Sequence, residues 1–436
     1  MKRLIKFALP FLGSALIQQL YSTTDLIFAG WYLGKDGVAA IGGTSILATV
    51  IIGIFTGLSV GISTHVARLY GEGNFDKIKR AVGAALVLIA ILAVPFLLFL
   101  EGFADVLLQF MHIPDDIFES ALTYLRIYSL SVVSITMYNV ITGILRAMGD
   151  SFRPMLAQLV GGITNVVMNY LLIVQLKMGV FGAGLTTFIS QSIAALLTFV
   201  FFVLVAKKKG IGGIHPCISL WDTMEILKVG IPSAVQASII TLSNFFVQSD
   251  VNTLGVVSIA AFAAYYKVEN FIYYPIMAVG QANAVIAAQD YGSGNHKRMF
   301  NGVKRSMIFG LVLTLTLAVI LIIMRRYLFM LFGKNEEVIA LGMKMVCISF
   351  PFYFLYLVME VLAGTIRSTG DALLPMMCVI INMCPVRLFV LHFMMKEHIL
   401  LPHLVGLYPI TWTTTVTMLL IAYVWWKRKR FVIKDI

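Results

Sequence analysis

Charge is what this sequence has least of. Only 12% of its 436 residues are Asp, Glu, Lys or Arg, while 59% are hydrophobic. Soluble domains carry about twice that charged share, so a water-soluble globular protein is excluded. Cysteine is scarce too: Cys217, Cys347, Cys378 and Cys384 show no paired spacing. That excludes a disulfide scaffold and leaves buried free thiols as the reading. His65 and His392 each stand alone in apolar surroundings, without a second ligand at metal spacing. No Gly-x-x-x-x-Gly-Lys-Ser/Thr loop, Rossmann glycine run, Ser-His-Asp set or Cys-His set occurs. Nucleotide hydrolysis and intramembrane catalysis therefore have no residues to stand on. The chain reads as a non-enzyme without cofactor, and any active transport has to run on an ion gradient or a partner subunit.

What is present is apolar sequence in long runs. Twelve stretches are long enough to cross hydrocarbon, which takes about 20 residues each. They lie at approximately 5–33, 38–66, 80–100, 120–145, 155–176, 182–206, 229–253, 258–287, 303–324, 338–365, 375–395 and 402–426. Met1-Lys-Arg has the charged front of a secretory signal, but the run behind it is too long and lacks a small-residue cleavage site. It is kept as the first span.

The chain repeats itself. Leu145-Arg-Ala-Met-Gly-Asp-Ser-Phe-Arg-Pro-Met155 returns as Ile366-Arg-Ser-Thr-Gly-Asp-Ala-Leu-Leu-Pro-Met376, and Tyr70-Gly-Glu-Gly-Asn74 returns as Tyr291-Gly-Ser-Gly-Asn295, both at an offset of 221 residues. One offset shared by two motifs points to two copies of one unit. Six spans per copy bring both copies into the membrane in the same direction, a parallel repeat of the kind found in transporters. The fold class is an all-α membrane protein of twelve transmembrane helices in two six-helix bundles. We expect an N-terminal lobe over 1–206, a flexible linker over 207–228, a C-terminal lobe over 229–426 and a basic tail over 427–436.

The net charge of +12 reports topology. The termini and the loops between even and odd spans hold 23 of the 33 Lys and Arg, among them Arg3, Lys77, Arg80, Arg146, Lys207 to Lys209, Arg298 and Lys427 to Arg430. The opposite loops hold seven and the spans three, Arg126, Lys267 and Arg387. Such a bias places both termini in the cytoplasm and the protein, multi-pass, in a cell membrane. The basic residues meet anionic lipid, not nucleic acid.

Arg-x-x-Gly-Asp-x-x-x-Pro falls where spans 4 and 10 end. Gly149 and Gly370 suit the left-handed conformation at a helix end, Asp150 and Asp371 can cap the helix that follows, and Pro154 and Pro375 suit its first turn. The motif is a well-made turn, or else a gate closed by salt bridges between halves. Gly53-x-x-x-Gly57-x-x-x-Gly61 puts small residues on one face of span 2, for close packing or for packing that slides.

Polar groups inside spans are costly and so become candidates for function. Asp25 lies well inside span 1; a carboxylate in low dielectric is costly to ionise, which suits a group that exchanges a proton or cation. Asn165 and Asn169, four apart on span 5, share a helix face. Their amides could bond a protonated Asp25, offer oxygens to a cation, or simply hold helices together. Tyr124, Tyr138, Asn139 and Thr187 extend the polar set in the first half. The second half holds Asp250, Lys267, Glu269, Glu360 and Arg387; Glu360 is offset 221 from Asn139. Lys267 and Glu269 do not share a face. Glu269, between Tyr265-Tyr266 and Tyr273-Tyr274, could form a wall for an organic cation, or these aromatics are packing.

Lys267-Val-Glu269…Pro275…Gly280-Gln…Gln289-Asp-Tyr-Gly-Ser-Gly-Asn295, the paired Leu145-Arg-Ala-Met-Gly-Asp motif and the opening Pro10…Gln18…Tyr21…Asp25…Gly30…Gly34 resemble the multidrug and toxic compound extrusion (MATE) family over essentially the whole chain. The arrangement looks most like the DNA-damage-inducible branch, whose coupling residues lie in the N-terminal lobe. On that resemblance Asp25 exchanges protons or Na⁺ for substrate, Pro10 is the hinge of span 1, and Tyr124, Asn139, Asn165 and Thr187 surround the acid. Asn169 departs from the pattern, since members with two acids carry a carboxylate there; proton coupling is favoured over Na⁺. Substrate would be met by Gln18, Tyr21, Tyr138, Glu269, Tyr273 and Glu360. Another branch couples through C-terminal acids, which leaves Glu269 or Glu360 as alternatives.

The function expected is export of amphipathic organic cations by a monomer, in exchange for H⁺ or Na⁺, with access alternating between the lobes. A lipid-linked saccharide flippase of the same superfamily is the first alternative; it should show a basic cavity, and only three bases lie in spans. A passive channel is the second, and no repeated filter sequence supports it.

Overall fold

The structure, a computed structural model, describes residues 2–111, 113–211, 216–332, 335–396 and 400–432, without the side chains of 22, 35, 36, 38, 43, 45–51 and 432. Parts of the expected linker (212–215) and tail (433–436), together with Lys334, lie outside the described residues. Twelve helices among them are long and apolar enough to cross a membrane. Spans 1 to 6 are Lys2–Leu33, Ile52–Glu72, Phe75–Phe110, Asp115–Ala147, Phe152–Gln175 and Gly179–Lys208. Spans 7 to 12 are Leu220–Thr253, Val256–Gly292, His296–Met330, Glu336–Ser368, Leu373–Lys396 and Leu401–Phe431. The protein is an all-helical, multi-pass membrane protein, and no strand occurs among the described residues.

The repeat is written into the backbone. Left-handed glycines recur in register: Gly34 at φ 69° with Gly255 at 91°, Gly73 at 73° with Gly294 at 71°, and Gly149 at 93° with Gly370 at 96°. Each sits at a helix end, where a side chain would be strained. The two asparagines that follow the second pair begin spans 3 and 9 as N-caps: Asn74 accepts from the Lys77 amide at 3.0 Å and Asn295 from that of Arg298 at 2.9 Å. Asp150 caps span 5 through the Arg153 amide at 3.2 Å, as its motif predicts.

The two copies of the Arg-x-x-Gly-Asp turn are held differently. Asp150 turns to Arg153, whereas Asp371 takes Arg430 and, at 2.8 Å, the Trp426 indole. Arg146 lies with its guanidinium 3.9 Å over the Phe11 ring. What closes each motif is a base that the sequence reading did not single out. Lys209 donates to the Tyr70 hydroxyl at 2.6 Å and the Met148 carbonyl at 3.0 Å. Arg430, 221 residues on, donates to Tyr291 at 2.8 Å and the Thr369 carbonyl at 3.0 Å. In each half this clasp joins the end of the last span to both repeated motifs.

Two compact units emerge, Leu9–Ala234 and Met1–Ala8 with Val235–Ile436. Span 7 starts at Leu220, so 220–228 is helix where composition placed linker. Its first turns belong to the first unit, and the first residues of span 1 belong to the second. Spans 1 and 7 each run as continuous helix through an internal proline, Pro10 and Pro232. The core of the second unit is a cluster of large apolar side chains from spans 7 to 12, including Phe262, Tyr265, Phe350, Tyr353 and Trp412. Of the cysteines only Cys378 is buried; Cys347 is exposed and Cys217 and Cys384 are intermediate, so the expectation of four buried thiols is corrected. An apolar bilayer tolerates such exposed neutral thiols.

Candidate functional site

In the first unit, span 5 positions the site. Its Gly161 leaves room for span 6, since a Cβ there would lie 2.9 Å from Ala194. Gly162 does the same toward span 1, where a Cβ would meet Ile17 at 3.2 Å. Close approach of this kind is how small residues bring helices together in lipid. One turn further along, Asn165 and Asn169 reach Asp25. Their amide nitrogens donate to the same carboxylate oxygen, Oδ1, at 2.9 Å and 2.6 Å, and Asn169 also donates to Asn165 Oδ1 at 3.2 Å. Both asparagines are fully buried, while Asp25 is half-buried. Asn169 Oδ1 is buried without a partner. The acid is thus held on one oxygen by two donors, with an unpaired acceptor beside it.

The backbone is irregular just there. The last turns of span 1, Ala29–Leu33, and of span 5, Asn169–Gln175, wind as π-helix and pack against each other. Such segments are uncommon and cluster at functional sites. Tyr21, one turn before Asp25, accepts from the Gln191 amide of span 6 at 2.8 Å and is buried. Tyr21, Tyr124 and Tyr128 all lie within electrostatic range of the carboxylate, and Tyr124 and Tyr128 stack at 5.7 Å. Gln191 was missed because a lone glutamine in an apolar span carries no spacing signal; Tyr128, four residues after Tyr124 and so on the same helix face, carried one that could have found it.

The other residues of the expected N-terminal set are nearby in the fold but bonded elsewhere. Asn139 turns its side-chain amide back to the Ile135 carbonyl at 2.9 Å, and its main-chain carbonyl accepts from the Ser59 hydroxyl at 2.7 Å. Thr187 bonds Ala183 on its own helix at 3.4 Å, and Tyr138 bonds the Pro154 carbonyl at 3.3 Å. Gln18 is exposed on span 1 and engaged. Pro10 is buried, and its carbonyl accepts from Ser14 at 3.0 Å.

The second unit keeps its acids in an aromatic framework. Glu269 accepts from the Tyr353 hydroxyl. Tyr265, which is buried, bonds Ser349, and the half-buried Tyr266 bonds Tyr408, each at 2.9 Å. The Tyr273 ring meets Tyr274 edge-on and Tyr356 at a tilt, both with centroids 5.6 Å apart. Glu360 is buried against Gly280 and 4.0 Å from Arg367. Asp250 is half-buried and Lys267 exposed. Arg387 is buried, donates to Asn244 at 2.8 Å and lies 5.2 Å from the Tyr408 ring. Among the described residues no group of three or more His, Cys, Asp or Glu could hold a metal. His65, expected to stand alone, bonds Asp222 at 2.8 Å; the acid sits in what composition assigned to the linker.

A family model described as MatE matches residues 10–171 and 232–392. The two matched stretches start 222 residues apart and end 221 apart, which is the repeat again. The chain is 27% identical over 379 residues to a probable multidrug resistance protein, YpnP, of Bacillus subtilis, covering 86% of this chain and 83% of that one. It is 26% identical over 402 residues to a probable multidrug resistance protein, NorM, of Thermotoga maritima, covering 91% and 86%. In fold it is similar to a crystal structure of a MATE protein in its straight conformation, with a TM-score of 0.89 at 22% identity over 100% of this chain and 97% of that chain.

Proposed function

The chain belongs to the multidrug and toxic compound extrusion family of membrane transporters, and from that premise we propose that it exports amphipathic organic cations in exchange for protons taken up at Asp25. The observation that carries the proposal is the carboxylate of span 1 held by two amides of span 5. Two donors on one oxygen stabilise the ionised acid when its site faces the releasing side, and the second oxygen remains open to a proton or to a substrate ammonium. Substrate and proton then compete for one negative charge, which is the differential affinity that coupled exchange requires. Access to the site alternates across the membrane, the termini lie in the cytoplasm on the loop-charge bias, and the chain acts as a monomer. Curated relatives named multidrug resistance proteins support export of foreign compounds.

Na⁺ is the second reading for the coupling ion, favoured by the partnerless Asn169 Oδ1 beside the carboxylate. Oxygen ligands of that kind suit a hard cation. Glu269 is the alternative coupling acid, in the second unit. A saccharide flippase has less support: of its three candidate bases, Arg126 pairs with Asp105 at 3.3 Å, Lys267 is exposed and Arg387 is engaged. The test is export of a fluorescent cationic dye from proteoliposomes under a proton gradient or a Na⁺ gradient. Proton-driven export that Asp25→Asn abolishes is expected. Full gradient-driven export by Asp25→Asn would move coupling elsewhere, with Glu269→Gln the next variant.

A further inference from the structure

Spans 1 and 7 are equivalent in the repeat, and each leaves its first turns in the unit built from the other repeat. The crossing points fall at Ala8–Leu9 and Ala234–Val235, within two or three residues of Pro10 and Pro232. Proline removes a helix hydrogen bond, so each crossing sits at the weakest point of its helix.

Both displaced segments are tied down by buried charge. At the start of span 7, Asp222 is fully buried and holds His65 of span 2 at 2.8 Å, Arg80 of span 3 at 2.6 Å and Ser219 at 2.5 Å. Trp221 covers the cluster, 5.5 Å from the His65 ring and 5.9 Å from the Arg80 guanidinium. One turn on, Glu225 pairs with Arg68 at 3.1 Å. At the start of span 1, Arg3 donates to Asp290 at 2.8 Å and to Gln289 at 2.5 Å, and Arg298 stands 3.3 Å from the same acid. Arg68 and Gln289 are 221 apart, so the two ties use equivalent sites on spans 2 and 8. Their polarity is inverted: the odd span brings the acid in one and the base in the other.

The glycines of span 2 supply a second, independent observation. A Cβ on Gly61 would lie 2.3 Å from the Ile226 carbonyl oxygen and 2.7 Å from the Gly230 nitrogen, and one on Gly57 would lie 2.2 Å from the Ala234 nitrogen. The displaced part of span 7 therefore lies backbone against backbone on span 2, a seam that grips through fit and can part without unthreading side chains.

We propose that the Asp222 cluster and the Arg3–Asp290 cluster are paired locks, each fastening the first turns of an odd span, and that both release when the end of the protein bearing the basic loops opens. Their opposite polarity disfavours exchange of partners, since either segment in the other's seat would meet like charge. The proposal rests on the alternating-access part of the reading above and not on which compound is carried.

Hydrogen exchange on the full chain in lipid nanodiscs tests the fastening. Asp222→Asn should speed exchange across Leu220–Ala234 by about tenfold and leave Lys2–Ala8 at the wild-type rate, and Arg3→Gln should do the converse. Arg80→Gln, at a half-exposed position, is the milder variant should Asp222→Asn not fold; it should act on 220–234 alone. Exchange at wild-type rates in both segments, or faster exchange in every helix, would overturn the proposal. Release is tested by joining His65→Cys to Asp222→Cys with a short bis-methanethiosulfonate linker, attached at each end through a disulfide that a reductant cleaves, in a chain freed of its native cysteines. Dye export should stop and return on reduction; full export with the link intact would sink the release step. If the wild-type chain moved no dye at all, the substrate reading would fail and the exchange result would still decide the locks.

Discussion

At the residue scale, the proposed exchange rests on how few polar atoms surround Asp25. A hydrogen bond to a charged group contributes about 1.5–3 kcal/mol, and each 1.4 kcal/mol is a factor of ten. Asn169→Leu removes one of two donors and should weaken proton-driven dye export by about tenfold or more, read as initial rate in proteoliposomes. Asn139→Leu, whose amide serves its own helix, should cost less in the same assay. Asn169→Asp would set a second carboxylate beside the first. Two acids at that separation cannot both ionise without a shared proton or cation, so this variant should gain stimulation by Na⁺ that the wild type lacks. Asp25 and its asparagines were legible in the sequence because a carboxylate deep in an apolar run, and amides four apart, are expensive to place without purpose. Gln191 was not legible. Its role as the donor to Tyr21 exists only once span 6 is laid against span 1.

At the element scale, helix ends and close crossings carry the information. Gly149 and Gly370 have φ of 93° and 96°, where any other residue is strained. Alanine at either should destabilise by about 1–2 kcal/mol and lower the unfolding midpoint in detergent. Gly102→Ala, in open space within span 3, should leave the midpoint unchanged or raise it. Gly61→Ala should destabilise by about 1–3 kcal/mol through overpacking against span 7. The turn glycines could be read from sequence because they recur at one offset. The seam between spans 2 and 7 could not, for the glycine face of span 2 names no partner. Leu220 to Lys228 reads as linker because the apolar run of span 7 begins only at 229, behind Asp222, Glu225 and Lys228. In the fold Asp222 is fully buried, satisfied by a histidine and an arginine from far along the chain.

At the scale of the whole molecule, the repeat explains why one chain holds two similar bundles and where they differ. The shared features are the scaffold: left-handed turns, asparagine caps and the Lys209 and Arg430 clasps. These bases hid in runs, Lys207 to Lys209 and Lys427 to Arg430, where charge counts as topology and no single residue stands out. Arg430→Ala should lower the unfolding midpoint more than Lys209→Ala, because Arg430 also loses Asp371. What differs between the copies is the chemistry. Asp25 and its amides occur in the first unit, while Glu269 and Glu360 sit among tyrosines in the second. That asymmetry is the reason to assign coupling to one unit, and it was visible in the sequence as an acid against an amide at the equivalent positions Glu360 and Asn139.

The proposed exchange turns on competition between substrate and proton for Asp25. The most direct measurement is the proton balance of binding: cationic dye is added to purified protein in weakly buffered detergent solution, and the pH change is recorded. Wild type should release protons as dye binds, and Asp25→Asn should bind dye without releasing any. Equal release from both would place the exchanged proton on another group and rule Asp25 out as the shared site.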